Sequence, residues 1–489
     1  MNEYGQWISN RIKIIIKTLL FLYMTSLTLA DIDNYGIVYT PDNLVDKILD
    51  LIPIVYFQNP NLTWLDLGAG NGAFSRALFK RLVQHLQSSM LPDADIEAHI
   101  LQNMIYMVEI YPAHIDYLKT IFHKPNIIER CFLSLDSADK KFDFIIGNPP
   151  YNINGAIKTP TNTSLKKSDD GKAIYVDFVY KSLELLKPDG FINFIIPSIW
   201  LKPDKARLYK TLTHKTIHKL CCLSTAETQK MFDYKAQTPT CYFLIQNRNN
   251  NLIEKIEKIE KINIYDKLSN TFIPYELRPD FPIPTHGISI INKMLGFVDK
   301  YGYLKVYKTT TPTSKTRIEI AGLPYKNIKT CLLTDPEGTM ETMETMETRK
   351  PRLVINYSNI PQQFDKIPKL VLANKMYGIP YLDASGEYGI STRDNYVISS
   401  HDYSIPELRM LQSFLSTKTA LFLFSTTNYR MRYLERYAFQ FIPDVTQIMD
   451  FDSDFDFGFS DEEKNHINCA TNKKRSVPSF LPSSNEDHS

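Results

Sequence analysis

The chain has 489 residues, 43% of them hydrophobic and 22% charged, with a formal net charge of +2. This is an ordinary globular composition, long enough for two or three domains. The near-neutral balance excludes a global basic field, so any nucleic-acid surface must be local.

At the N-terminus Arg11, Lys13 and Lys17 precede an apolar run from Leu19 to Leu29, and Thr28-Leu29-Ala30 has the form of a cleavage site. That outline fits a signal peptide. The reading preferred here is an over-long start, with initiation at Met24, in an intracellular, cytoplasmic protein. The run is short for a spanning helix, and no other segment looks transmembrane. The six cysteines (Cys131, Cys221, Cys222, Cys241, Cys331 and Cys469) form no CxxC pair. We therefore expect reduced thiols and no metal site.

From about residue 35 to 247, strand and helix patterns alternate. Strands are expected at Thr63–Leu67, Met104–Glu109, Ile127–Cys131, Phe142–Ile146, Phe191–Ile196, His218–Leu223 and Cys241–Gln246. Helices are expected at Asn43–Leu51, Ala73–Leu86 and Tyr175–Leu186, the last closed by a turn at Pro188-Asp189-Gly190. Alternation of this kind predicts an α/β, doubly wound sheet with ligands at the carboxyl ends of its strands.

The first expected strand runs into Trp64-Leu65-Asp66-Leu67-Gly68-Ala69-Gly70-Asn71-Gly72. Glycines there let backbone approach a ligand, and a helix N-terminus follows. Asp66, inside the strand end, can face a cationic amine but would repel a pyrophosphate. Glu109, ending the next strand, can accept both hydroxyls of a ribose. An amino acid joined to a nucleoside needs both acids, and S-adenosylmethionine is that molecule. Each acid could also simply cap a helix.

The fourth expected strand ends in Gly147-Asn148-Pro149-Pro150-Tyr151-Asn152. Two prolines stiffen the chain and remove two backbone donors. The Asn148 side-chain oxygen and the Pro149 carbonyl could together hold a planar NH2 group. Two such acceptors would draw a delocalised amine toward tetrahedral geometry and relieve positive charge in the transition state. Tyr151 could stack on the ring that carries the amine. No general base of special pKa is required. A plain turn is the alternative to this reading.

Around residue 248 the pattern breaks. Ile253–Ile262 repeats Ile-Glu-Lys, and Thr339–Glu347 repeats Thr-Met-Glu. Both read as tolerant surface loops. A second, mixed α/β domain is expected over 248–442, after a catalytic domain over 31–247. An acidic and polar tail over 443–489, partly disordered, would follow.

These motifs resemble the gamma class of N6-adenine DNA methyltransferases, which includes fused or companion enzymes of restriction–modification systems. Tyr39-Thr40-Pro41 before a helix looks like the family's first motif, which closes over the methionine end of the cofactor. The glycine turn, the ribose acid, the catalytic tetrapeptide and a C-terminal recognition domain follow in the family's order. The resemblance covers about 35 to 442. It implies a Rossmann-like seven-stranded sheet, S-adenosyl-L-methionine as cofactor and adenine N6 of a base flipped from double-stranded DNA as target. It implies cofactor contacts from Tyr39, Thr40, Asp66, Gly68, Gly70, Glu109, Cys131, Phe132 and Asn148, and catalysis by Asn148, Pro149, Pro150 and Tyr151. Phe232, in preference to Tyr234, takes the place of the aromatic that stacks on the flipped base; a packed core aromatic is the alternative. The family usually has an acid where Cys131 stands, to contact the cofactor adenine; Asp136 could substitute. Phe132 would stack on that adenine, or be a core phenylalanine.

Lys375, Arg393, Arg430, Arg432 and Arg436 are candidate DNA contacts in the C-terminal half. Loop 157–172, with Lys158, Lys166, Lys167 and Lys172, could close on DNA or be only solvated. No convincing endonuclease motif is present, so a cognate endonuclease, if there is one, is expected to be a separate protein. Three other readings stay open: a protein-glutamine methyltransferase with the same tetrapeptide, an RNA methyltransferase, and a non-catalytic DNA-binding specificity protein.

Overall fold

The computed structural model describes residues 38–87, 93–152, 173–234, 236, 238–249, 260–333, 351–374, 380–430, 434–452 and 454–472. It divides into two compact units, one ending at Tyr265 and one starting at Asp266.

The first unit is a helix-flanked sheet. Its strands are β1 (Trp64–Asp66), β2 (Ile105–Val108), β3 (Asn126–Ile128), β4 (Phe142–Gly147), β5 (Leu186–Pro197), β6 (Lys215–Leu223), β7 (Thr240–Asn249) and β8 (Lys261–Asp266). Within the unit they lie in the order β3-β2-β1-β4-β5-β7-β6-β8. β3, β2, β1, β4 and β5 run parallel, and β7 is antiparallel to both β5 and β6. All seven expected strands are present, and the sheet is Rossmann-like. β8 is an addition to the expected seven, parallel to β6.

Aromatic stacking holds the register of the central strands. Trp64 of β1 pairs with Phe144 of β4, which pairs with Phe191 of β5. Their rings follow one another across the sheet, with centroids 4.0 Å and 4.8 Å apart. A one-residue slip would move each ring to the opposite face and break the stack. The expected turn at Pro188–Gly190 lies inside β5. Phe142 pairs with Leu186 and Phe144 with Phe191, so the residues between them bulge from the ladder, with Asp189 at φ 62°.

Helices α1 (Asp42–Leu49), α2 (Ala73–Leu86), α3 (Pro112–Ile121), α4 (Tyr175–Leu185) and α5 (Thr225–Met231) belong to this unit. α1 buries Leu44, Val45, Ile48 and Leu49, the stripe expected of an amphipathic helix. α5 starts with a full capping box, in which the Ser224 hydroxyl and the Glu227 carboxylate satisfy each other's backbone N–H. β1 and β4 are neighbours, but connect onward to opposite sides of the sheet, to β2 and β5. This is a topological switch point, where the carboxyl ends of parallel strands leave a crevice.

The second unit opens with β9 (Thr271–Glu276) and helix α6 (Ile288–Tyr301). It carries two four-stranded sheets. One orders β10 (Tyr307–Lys308), β17 (Asn395–Ser399), β14 (Lys369–Ala373) and β15 (Pro380–Asp383), all antiparallel. The other orders β11 (Ile318–Glu319), β13 (Pro351–Ser358), β12 (Tyr325–Leu333) and β16 (Gly389–Ile390). Ile328 and Cys331 from β12, Val371 and Ala373 from β14, Ile390 and Val397 form one buried cluster drawn from both sheets. Helices α7 (Ile405–Leu415), α8 (Lys418–Ser425) and α9 (Asp461–Asn472) complete the unit. No helix among the described residues is long and apolar enough to cross a membrane.

Candidate active site

β1 delivers Asp66 and then turns at the glycines. Gly70 has φ 53°, and a Cβ added at Gly68 or Gly70 would meet nothing within 4 Å, so this turn faces open space. Gly72 is constrained from the other side. Its φ is 76°, a conformation L side chains rarely adopt, and a Cβ there would lie 2.8 Å from Leu118 Cδ2 on α3, so a larger residue would be strained and would displace that side chain.

Asp66 is 1% exposed. Its Oδ2 accepts from the Ser75 hydroxyl at 2.6 Å, whereas Oδ1 is buried without a hydrogen-bond partner. Burial pushes its carboxyl up to about 7, against the opposing pull of the Ser75 hydrogen bond. A buried acid with an orphaned oxygen, next to an open glycine turn, suits a cationic amine.

Glu109 follows β2. Its Oε1 accepts from the backbone N–H groups of Ile110 and Tyr111, both at 2.8 Å, and its Oε2 from Gly70 N–H at 2.6 Å. Burial pushes this carboxyl up, but the hydrogen bond and charge of His114 and the Tyr111 and Gly70 N–H groups outweigh it. The net shift is below the ordinary glutamate value. Glu109 is therefore a firmly held carboxylate. A ribose hydroxyl reaching Oε2 would share that oxygen with the Gly70 N–H.

Asn148 stands just beyond β4. Its amide Nδ2 donates to Thr40 Oγ1 at 3.0 Å, and its Oδ1 is buried with no hydrogen-bond partner. Thr40, itself buried, thus fixes the amide with its acceptor unused. Pro149 is buried beside it. The Tyr151 hydroxyl is also buried without a hydrogen-bond partner. Burial, with Cys241 and Tyr175 nearby, pushes the phenol up and keeps it neutral. Tyr151 meets Tyr175 edge-on at 6.4 Å, and Ile174 N–H donates to its carbonyl at 3.1 Å.

Hydrogen bonds join Gly70 to Glu109, Thr40 to Asn148 and Tyr39 to His114, and His114 Nδ1 approaches Glu109 at 3.5 Å. Phe132 is buried and stacks on Phe178 at 5.2 Å, a contact that favours its reading as a core ring. Cys131 is exposed. Asp136 lines a cavity of about 230 Å³ with Tyr106, Asn126 and Phe142, near the starting ends of β2, β3 and β4. Phe232 is 3% exposed, at the end of α5, and Tyr234 is 73% exposed with φ 63°. In the second unit Arg393, Arg430 and Arg436 are exposed. Lys375, Arg432 and the loop lysines Lys158, Lys166, Lys167 and Lys172 lie outside the described residues.

Three residues escaped the sequence reading. Ser75 lies one turn into α2, where a hydroxyl in an apolar stripe is a weak signal. Ile110, half-exposed beside Glu109, offers an apolar wall. His114 falls on the buried stripe of α3 with Ile115 and Leu118, and that placement is its only signal.

Residues 4–232 match the family model described as Eco57I restriction-modification methylase. This segment is related to the restriction–modification DNA methyltransferases. The chain is 30% identical over 185 residues to the type II methyltransferase M.BstVI of Geobacillus stearothermophilus, covering 33% of each chain. It is 30% identical over 175 residues to the modification methylase CviBIII of Paramecium bursaria Chlorella virus NC1A, covering 35% of this chain and 40% of that one. The matched stretches thus span well under half the length of these relatives. Among solved structures, the M protein of the type I restriction enzyme EcoKI is similar with a TM-score of 0.35 and 17% identity, over 50% of this chain and 49% of that one.

Proposed function

We propose that the chain transfers a methyl group from S-adenosyl-L-methionine to the N6 amine of an adenine flipped out of double-stranded DNA. The observation that carries this reading is the Asn148 amide, anchored through Nδ2 to Thr40 and holding a buried, unused acceptor. An orphaned acceptor costs about 1–3 kcal/mol unless something pairs with it, so a donor is its natural complement. Asn148 Oδ1 and the Pro149 carbonyl would accept both hydrogens of the target amine and stabilise the charge that develops on it. The cofactor, when bound, supplies an electrophilic methyl group.

The residues present fit that cofactor. Asp66, with one oxygen unpartnered, would hold its amine. The open turn at Gly68 and Gly70 would pass its chain, and Glu109 would take its ribose. Tyr151 would stack on the flipped base, with Phe232 or the exposed Tyr234 as the second wall. The second unit would read the DNA sequence through exposed arginines such as Arg393, Arg430 and Arg436. Any paired cleavage would reside in a separate endonuclease.

The test is transfer of a labelled methyl group to unmethylated DNA, followed by base analysis. N6-methyladenine is the expected product. Label in protein or RNA and none in DNA would overturn the assignment. Asn148→Ala should lower transfer by at least about a hundredfold, the usual scale for losing one transition-state acceptor or donor. Calorimetry should find cofactor affinity within a fewfold of the parent chain.

A further inference from the structure

His114 is 1% exposed, on a helix whose other buried residues are apolar or aromatic, and nothing in the transfer chemistry above calls on it. Both of its ring nitrogens face polar atoms on other elements. Nε2 is 2.9 Å from the Tyr39 hydroxyl, and Nδ1 is 3.5 Å from Glu109 Oε2. The Tyr111 ring meets the imidazole edge-on at 4.9 Å and limits its rotation.

The chemistry of the partners sets the tautomer. A carboxylate can only accept, so the Nδ1 that faces Glu109 is the nitrogen that carries a proton, and Nε2 lies within hydrogen-bond distance of the Tyr39 hydroxyl. Nε2 makes a hydrogen bond with Tyr39, whereas Nδ1 approaches Glu109 as an electrostatic contact without a formed hydrogen bond, and a histidine buried only for its bulk has no reason to face polar groups on two other elements. Tyr39 is followed directly by Thr40, which fixes the Asn148 amide.

We propose that His114 is a positioning residue, tying the Tyr39–Thr40 segment to Glu109 so that the ribose acid and the Asn148 amide are set by one connected run of side chains. This rests on the reading of Glu109 and Asn148 given above. Cofactor affinity and the rate at saturating cofactor therefore both pass through one imidazole, by different nitrogens. The Nδ1 side serves Glu109 and affinity. The Nε2 side serves Tyr39, Thr40 and Asn148, and through them the rate.

The test measures S-adenosylmethionine affinity by calorimetry and single-turnover methyl transfer to DNA at saturating cofactor. His114→Phe fills the volume and removes both contacts. It should weaken affinity by about threefold or more, the scale of a modest electrostatic contact, and also lower the saturating rate. Tyr39→Phe should lower the rate, and combining it with His114→Phe should add no further loss in rate, because both remove the same contact. His114→Asn restores a donor near the Nδ1 position and should recover affinity but not rate. His114→Gln restores a polar group near the Nε2 position and should recover rate more than affinity. Multiplicative losses in the double variant, or two polar variants that recover the same quantity, would overturn the proposal. The affinity arm needs no methyl acceptor. A parent chain that binds cofactor but methylates no DNA defeats the proposed function while still reporting on the His114–Glu109 link.

Discussion

Each unit buries an aspartate, and the two solve the problem in opposite ways. In the second unit Asp383 accepts from Lys369 Nζ at 2.6 Å, and from the backbone N–H groups of Glu387 and Tyr388. Lys369 also donates to the Ile367 carbonyl, and both side chains of the pair are almost fully buried. Every charge there has a fixed partner. In the first unit Asp66 accepts from the Ser75 hydroxyl on one oxygen, has no hydrogen-bond partner on the other, and has only the Gly68 and Ser75 backbone N–H groups, rather than a counter-charge, to stabilise it. Folding a charge without its counter-charge is costly, and a chain keeps such an arrangement where the counter-charge comes from outside. The pair at Lys369 is structure, and the acid at Asp66 is the arrangement the proposed cofactor site would use.

The largest effect should come from breaking the completed pair. Lys369→Met strands Asp383 in the core and should cost about 3–5 kcal/mol in denaturant unfolding. Adding Asp383→Asn removes the stranded charge and keeps one acceptor, for either the Glu387 or the Tyr388 N–H, so part of that loss should return. A single variant that loses under about 1 kcal/mol would mean that water reaches the pair, and the comparison would fail.

The same kind of change at Asp66 should act on binding rather than on folding. Asp66→Asn can keep the acceptor for Ser75 and removes the charge. Cofactor affinity should fall by roughly ten- to a hundredfold, the scale of about 1.5–3 kcal/mol for a charged hydrogen bond. The free chain should be no less stable at neutral pH. A clear loss of stability with unchanged affinity would make Asp66 a structural residue like Asp383.

That contrast bears on what a reader of the sequence can see. Asp66 and Asn148 stand out because each ends an apolar strand beside glycines or prolines, a local pattern. The expected strands of the first unit follow from uninterrupted apolar runs, and all appear within a few residues of their expected ends. β8 was hidden because the Ile-Glu-Lys repeat has period three, and it obscures the period-two alternation that starts at Lys261 and buries Ile262, Ile264 and Asp266. Similarly, the run after Asp444 reads as acidic tail, yet Phe451, Phe455 and Phe457 cluster with Phe297 and Phe414, and Ser460 and Glu463 cap α9. Aspartates between those rings dilute the apolar signal. His114, Lys369 and Asp383 were illegible for a different reason. Their partners are 5, 14 or 75 residues away, and only the fold brings them together.

The smallest effect concerns protons at Asp66. Burial raises its carboxyl to about 7 in the folded chain, from 3.8 for an unperturbed aspartate. Between those values the folded chain holds a proton that the unfolded chain has released, so stability falls as pH rises through this window. Asp66→Asn should therefore match the parent chain in stability near pH 4 and exceed it above pH 7. Cofactor binding should run the other way, since a cationic amine selects the ionised acid. From pH 5.5 to 7 the ionised share of a group titrating near 7 rises from roughly 3% to about half, so affinity should increase by more than about tenfold. Over this range the amine keeps its own proton, which an α-amino group loses only near 7.7–8.0. Calorimetry near pH 6, in buffers of different ionisation enthalpy, should find close to one proton released on binding. Asp66→Asn should flatten the affinity profile and abolish the release. A slope that survives in that variant would place the titrating group elsewhere.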